Sequence, residues 1–146
     1  MTAIVNTTDF PNQLVAIMYD VISKDLDGVQ VSSITLRNKQ NGLTRGNWGM
    51  YYGRENRITL NVFRDVSYPY TGRTPYLKLE RTYHTRAEWL ISVLAHEMRH
   101  AYQAKLYQGQ LTRMHAARLE CDAELYERKA IGMWNEFVNQ KPSEVK

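Results

Sequence analysis

His96, Glu97 and His100 spell H-E-x-x-H in the most apolar stretch of the chain. Residues four apart on a helix stand one above the other, about 6 Å apart along the axis. Two imidazoles so placed can each turn a nitrogen towards one Zn²⁺, at about 2.0–2.1 Å. Glu97 lies about 100° round the helix from His96. It can reach a water on the metal without binding the metal itself. Zinc lowers the pKa of such a water towards about 7, and a neighbouring carboxylate can take its proton to leave a nucleophile. The pattern points to metal-assisted hydrolysis of the metalloprotease kind. The plainer alternative is two ordinary helix histidines beside a solvated glutamate. It fits poorly, because burying three such side chains without partners costs several kcal/mol.

A helix over residues 85–109 must carry these groups. Thr85 with Glu88 three positions on forms a capping box, and Gly109 offers a stop. Trp89, Leu90, Ile91, Val93, Leu94 and Ala95 make it apolar on most sides, so it should be buried on most sides. A second long helix is expected from about Thr112 to Asn139. Its apolar stripe is Ala116, Leu119, Ala123, Tyr126, Ala130, Trp134 and Phe137 or Val138.

Catalytic zinc sites have three protein ligands and an open position. Two residues compete to be the third ligand. Glu120 borders the apolar stripe of the last helix beside Ala116 and Ala123. Its carboxylate should point to the core, where it needs a strong partner, and a metal is one. Glu124, one turn on, is placed to hold a ligand histidine by a hydrogen bond. The rival is His115, near the start of the same helix, which could bind the metal or stabilise an oxyanion.

The rest of the chain sets the frame. Its 146 residues suffice for one domain with a real core, and we read 1–146 as that domain. Apolar content of 43% and charged content of 23% are those of a soluble globular protein. No apolar run reaches membrane-spanning length. The first residues, MTAIVNTTDFPNQ, lack the basic region and apolar core of a signal peptide. Cys121 is the sole cysteine, so there is no internal disulfide and no Cys-x-x-Cys site. A cytoplasmic enzyme without a membrane partner is expected. The net charge of +4 comes from scattered residues, which permits contact with nucleic acid but does not indicate it.

Leu14, Ile17, Met18, Val21, Ile22 and Leu26 fall at helical spacing, so Pro11 to Asp27 reads as a first helix, after a loose or extended start. Val29–Leu36, Trp48–Tyr52 and Arg57–Arg64 read as strands, and Tyr76–Glu80 as a short one. Asn38–Asn47 and Tyr68–Pro75 read as loops. The order gives an α+β class. A small, mostly antiparallel sheet should pack on the N-terminal helix, the buried H-E-x-x-H helix and the long C-terminal helix.

His96-Glu97-Met98-Arg99-His100, followed by Glu120-Cys121-Asp122-Ala123-Glu124, resembles the gluzincin type of zincin metallopeptidase. In that group H-E-x-x-H is followed by a glutamate ligand opening an E-x-x-A-D-like segment. The resemblance implies a minimal zincin fold and a peptide or protein substrate. It also implies His96, His100 and Glu120 as Zn²⁺ ligands, and Glu97 as general base. Glu124 stands where the group usually has aspartate. Gly49-Met50-Tyr51-Tyr52-Gly53 and then Ile58-Thr59-Leu60-Asn61 also resemble small zincins of the ImmA/IrrE-like kind. SprT-like proteases share H-E-M-x-H-A, here His96 to Ala101, with a histidine third ligand at about His115's spacing. This chain lacks the cysteine-rich zinc ribbon many of them carry. By resemblance, Arg57–Arg64 is the strand that takes substrate as an added strand, with Thr59 and Asn61 lining the cleft. Tyr102, Tyr107 and Tyr126 are candidates to stabilise the oxyanion. A second class of function stays open: a protein- or nucleic-acid-binding domain with a structural or decayed zinc site. A fourth coordination position filled by both His115 and Glu120 would favour it.

Overall fold

The apolar stripe after Pro11 folds as helix α1, Asn12–Asp25, in the computed structural model, which describes residues 2–39, 48–64, 66–108 and 116–140. Val15, Met18 and Ile22 lie on its buried face, as their spacing requires. Leu26 closes the helix, and Asp27 and Gly28 turn the chain at φ of 56° and 74°. Glycine adopts that left-handed backbone without strain.

Strands β1 (Ala3–Asn6), β2 (Ser33–Lys39), β3 (Gly49–Tyr52) and β4 (Arg57–Phe63) form one sheet in the order β1-β2-β4-β3. β1 pairs with β2 in parallel, and so does β2 with β4; β3 alone runs antiparallel, against β4. The sheet is therefore mixed, and the expectation of a mostly antiparallel one is corrected. The reason is α1. It carries the chain from β1 back over the sheet, so β2 starts in the same direction as β1. β2 also begins later than Val29; Val29 and Val31 are buried in the connection before it. β4 is central. Its residues from Ile58 to Phe63 are all buried, as expected of a strand covered on both faces.

Strands β5 (Tyr70–Arg73) and β6 (Glu80–Tyr83) form a separate antiparallel hairpin. This corrects two expectations, a loop over Tyr68–Pro75 and a strand over Tyr76–Glu80. Residues 75–77 are a turn. Pro75 lacks the N–H that a ladder needs, and Lys78 takes a φ of 58°, so no strand can run through them. Tyr70 pairs with Tyr83 across the hairpin and stacks on it, with ring centroids 6.4 Å apart.

Helix α2 spans Arg86–Tyr107 and helix α3 spans Ala116–Gln140. The Thr85 hydroxyl accepts the Glu88 N–H at 3.2 Å, and the Glu88 carboxylate reaches back to the His84 N–H at 2.8 Å. α2 ends at Gln108, with φ 33°. The expected stop, Gly109, lies outside the described residues, as does the expected start of α3 at 112–115. Every residue of α2 from Trp89 to Ala95 is buried, because the helix lies between the sheet and α3. Ile34, Leu36, Ile58 and Leu60 of the sheet join Met18, Ile22, Leu90 and Leu94 in one core. The α+β class stands. Among the described residues, no helix is long and apolar enough to cross a membrane.

Candidate metal centre

The i, i+4 spacing on α2 sets the His96 and His100 rings edge to face, 4.9 Å apart. α3 crosses in front of them and brings Glu120. His96 Nε2 is 2.9 Å and His100 Nε2 is 2.7 Å from the same oxygen, Glu120 Oε1. One ligand atom from each residue lies within 4.8 Å of the other two. Two imidazoles and a carboxylate converging on one point could hold a metal ion. The donor set suits zinc, which takes nitrogen and oxygen ligands. Of the two rivals for the third position, Glu120 joins the histidines; His115 lies outside the described residues.

The outer nitrogens of both rings are occupied. His96 Nδ1 is 2.6 Å from Glu127 Oε2, and the other Glu127 oxygen accepts from Arg81 Nη1 and from the Ser92 hydroxyl at 3.2 Å. His100 Nδ1 is 2.8 Å from Gln103 Oε1. Gln103 in turn donates to the Leu119 carbonyl at 3.0 Å and to Asp122 at 2.8 Å. Asp122 also receives the Arg99 guanidinium on both oxygens. Both imidazoles are thus fixed in rotation, with Nε2 turned inward.

Glu124 does not play the part expected of it. It is fully buried, and its carboxylate accepts the N–H groups of Tyr76 at 2.9 Å and Leu77 at 2.8 Å. Glu127, one turn further along, holds the histidine instead. Sequence reasoning missed Glu127, although 120, 124 and 127 share one helix face by spacing alone. Glu127→Gln is expected to weaken metal binding about 10–100-fold, the usual cost of losing a partner behind a ligand histidine. Competition with a chromophoric chelator measures it, and unchanged affinity would deny Glu127 that role.

Charges in the site oppose burial. Burial pushes the His96 imidazole down, but Glu120 and Glu127 at its two nitrogens carry it up to about 10. His100 is likewise raised by Glu120 against burial. The bonds from His100 and His96 hold the Glu120 carboxyl well below the usual carboxylate range. Glu97 is only 6% exposed, and burial pushes its carboxyl up, while the two histidines pull it back. A carboxyl raised in this way titrates nearer neutral, where proton exchange with water is easiest. β3 lies hard against it. A Cβ on Gly49 would stand 3.2 Å from both Cγ and Oε2 of Glu97, so a larger residue there would press on the Glu97 side chain.

A cleft of about 670 Å³ opens over these groups, between β3, the β5–β6 hairpin and the two helices. β3 supplies Gly49, Met50 and Tyr51 to its wall. The expectation for β4 is therefore corrected. β3 pairs outside β4 and takes the place at the cleft, while Thr59 and Asn61 are buried and line none of it. Nor do Tyr102, Tyr107 and Tyr126 line it; Tyr51, Tyr70, Tyr76 and Tyr83 do. Tyr126 donates to Asp25 at 2.9 Å, and the Arg99 guanidinium lies over the Tyr102 and Tyr126 rings. Both rings are held on a different surface of the helix pair. No protein-family model, no curated protein and no solved structure matches the chain.

Proposed function

We propose that the protein is a zinc-dependent metallopeptidase of zincin kind, with Glu97 as its general base. One observation carries the reading: His96 and His100 converge on Glu120 Oε1, with Glu97 buried in the wall of the same cleft. His96, His100 and Glu120 would hold the zinc. When bound, it supplies Lewis acidity, which acidifies water and polarises a carbonyl. Glu97 accepts the proton of the attacking water and passes it to the leaving amine. Glu127 and Gln103 keep the imidazoles aimed while charge builds up. β3 has one paired edge, to β4, and among the described residues no strand pairs with the other. That edge supports an extended peptide as substrate, bound through main-chain hydrogen bonds beside Glu97. A lone cysteine supports a cytoplasmic setting.

The test is cleavage of dye-quenched casein by the purified protein. Removing zinc with dipicolinate is expected to abolish cleavage, and about one equivalent of zinc to restore it. Undiminished cleavage by metal-stripped protein would sink the zinc mechanism. Tight zinc binding with no cleavage of any peptide would leave a binding domain with a structural site.

A further inference from the structure

We infer that the Tyr76 hydroxyl is the hydrogen-bond donor to the oxyanion in this reaction, and that Glu124 is the positioning residue that holds it in place. The inference rests on the peptidase reading above. α3 presents three carboxylates on one face, and two have evident tasks: Glu120 meets the histidine nitrogens and Glu127 aims His96. Glu124 lies between them. It is 0% exposed, and its two oxygens accept the adjacent N–H groups of Tyr76 and Leu77. A buried carboxylate is costly unless bonded, and an apolar residue would pack there without that cost. What the carboxylate adds is a fixed tie between the turn at 75–77 and the helix face that bears Glu120, one helical turn away.

The turn is braced on its other side as well. The Thr74 N–H donates to the Leu79 carbonyl at 2.9 Å, and the Leu79 N–H donates to the Thr74 hydroxyl at 3.0 Å. Pro75 fixes the backbone just before Tyr76. The turn holds Tyr76 on the cleft wall with His96, Glu97, His100 and Glu120, half exposed. Of the other three cleft tyrosines, Tyr51 and Tyr83 have bonded hydroxyls, and the ring of Tyr70 is packed in place. Tyr51 donates to Asn56 at 2.9 Å. Tyr83 is 2% exposed and bonded to Ser92. Tyr70 stacks on Tyr83, edge-on to Trp48, with its hydroxyl against Gly72 of its own strand. The Tyr76 hydroxyl makes no hydrogen bond to any described residue. A phenol on the wall of this cleft, carried by a turn whose backbone is tied to α3, is suited to stabilise the negative oxygen of a tetrahedral intermediate. It donates a hydrogen bond and keeps its proton.

The experiment compares zinc-loaded wild type, Tyr76→Phe and Glu124→Gln on a dye-quenched peptide copied from a casein site that the wild type cuts. Tyr76→Phe removes only the hydroxyl. It is expected to lower kcat about 100-fold, with KM, zinc content and melting temperature unchanged. A phosphinate peptide of the same sequence presents the tetrahedral oxyanion permanently, and its affinity should fall by a similar factor. Glu124→Gln loses one of the two N–H contacts and should lower kcat less, in the same direction. If the wild type cuts and Tyr76→Phe matches it, or only KM changes, the assignment to Tyr76 is overturned and the peptidase reading stands. If the wild type holds zinc and cuts nothing, the peptidase reading fails and takes this inference with it.

Discussion

Glu97→Gln is expected to lower kcat by about 10²–10⁴-fold, the range that a positioned general base contributes. Glutamine keeps the shape of the side chain, which matters because Glu97 is only 6% exposed and lies close against Gly49. It removes the basicity and nothing else of consequence. The converging ligand atoms belong to His96, His100 and Glu120, so zinc content should stay at that of the wild type. Stability should not fall either. Burial raises the Glu97 pKa in the fold. A carboxyl raised on folding opposes the native state as pH climbs past its unfolded value, and glutamine is free of that penalty. The expected signature is thus a dead, zinc-loaded protein with a melting temperature equal to or above the wild type's. Turnover that survives the change would place the base elsewhere and sink the mechanism, whatever the metal does.

The parts of the site that were legible in the sequence are those that one helix settles by itself. His96, Glu97 and His100 are one, three and four positions apart on a single helix, and no tertiary contact is needed to put the histidines on one face. Glu120 was legible for a related reason. Its position beside Ala116 and Ala123 put it next to the apolar stripe, and a carboxylate there needs a partner. Glu124 and Glu127 share that face equally. Which of them meets His96 depends on where α3 crosses α2, and no local pattern records it. The crossing sets Glu127 against His96 and leaves Glu124 facing the hairpin turn.

The sheet was harder for the same reason. β1 is four residues long and half exposed, so its sequence carries little alternation to read. Its parallel pairing with β2 follows from the path of α1, which is a property of the whole fold. β3 and β4 were both visible as strands. That β3 lies outside β4, at the cleft, is a matter of sheet order, which residue type does not encode. The hairpin β5–β6 was displaced because Tyr76, Leu77 and Leu79 look like strand residues, while Tyr76 and Leu79 are in fact exposed around a turn. A turn residue that is aromatic, exposed and tied down by a buried carboxylate breaks the local rule, and such breaks are expected at functional sites.

Glu120→Ala should weaken zinc binding by about 10²–10³-fold. The figure takes the free energy of tight zinc sites, about 10–16 kcal/mol, as shared among four ligands, so that one is worth about 2.5–4 kcal/mol. Loss should be incomplete, because Glu127 and Gln103 still aim the two imidazoles when the carboxylate is gone. Glu124→Ala is the matched control. It removes a carboxylate one turn along the same helix, but one bonded to the Tyr76 and Leu77 amides, so zinc content should hold. Elemental analysis after dialysis, with chelator competition for the affinities, separates the two. His115→Ala completes the set, since a histidine at that spacing is the third ligand in SprT-like proteases. If Glu120→Ala keeps its zinc and His115→Ala loses it, the glutamate-type centre is wrong. The Glu120 contact with the two histidines would then be an ion pair beside the metal position. If Glu120→Ala alone releases zinc, the contact at 2.7 and 2.9 Å marks the point where the ion binds. If both variants lose it, the position that a hydrolytic site must keep open for substrate is filled, and the protein is a closed zinc site with no room for the reaction.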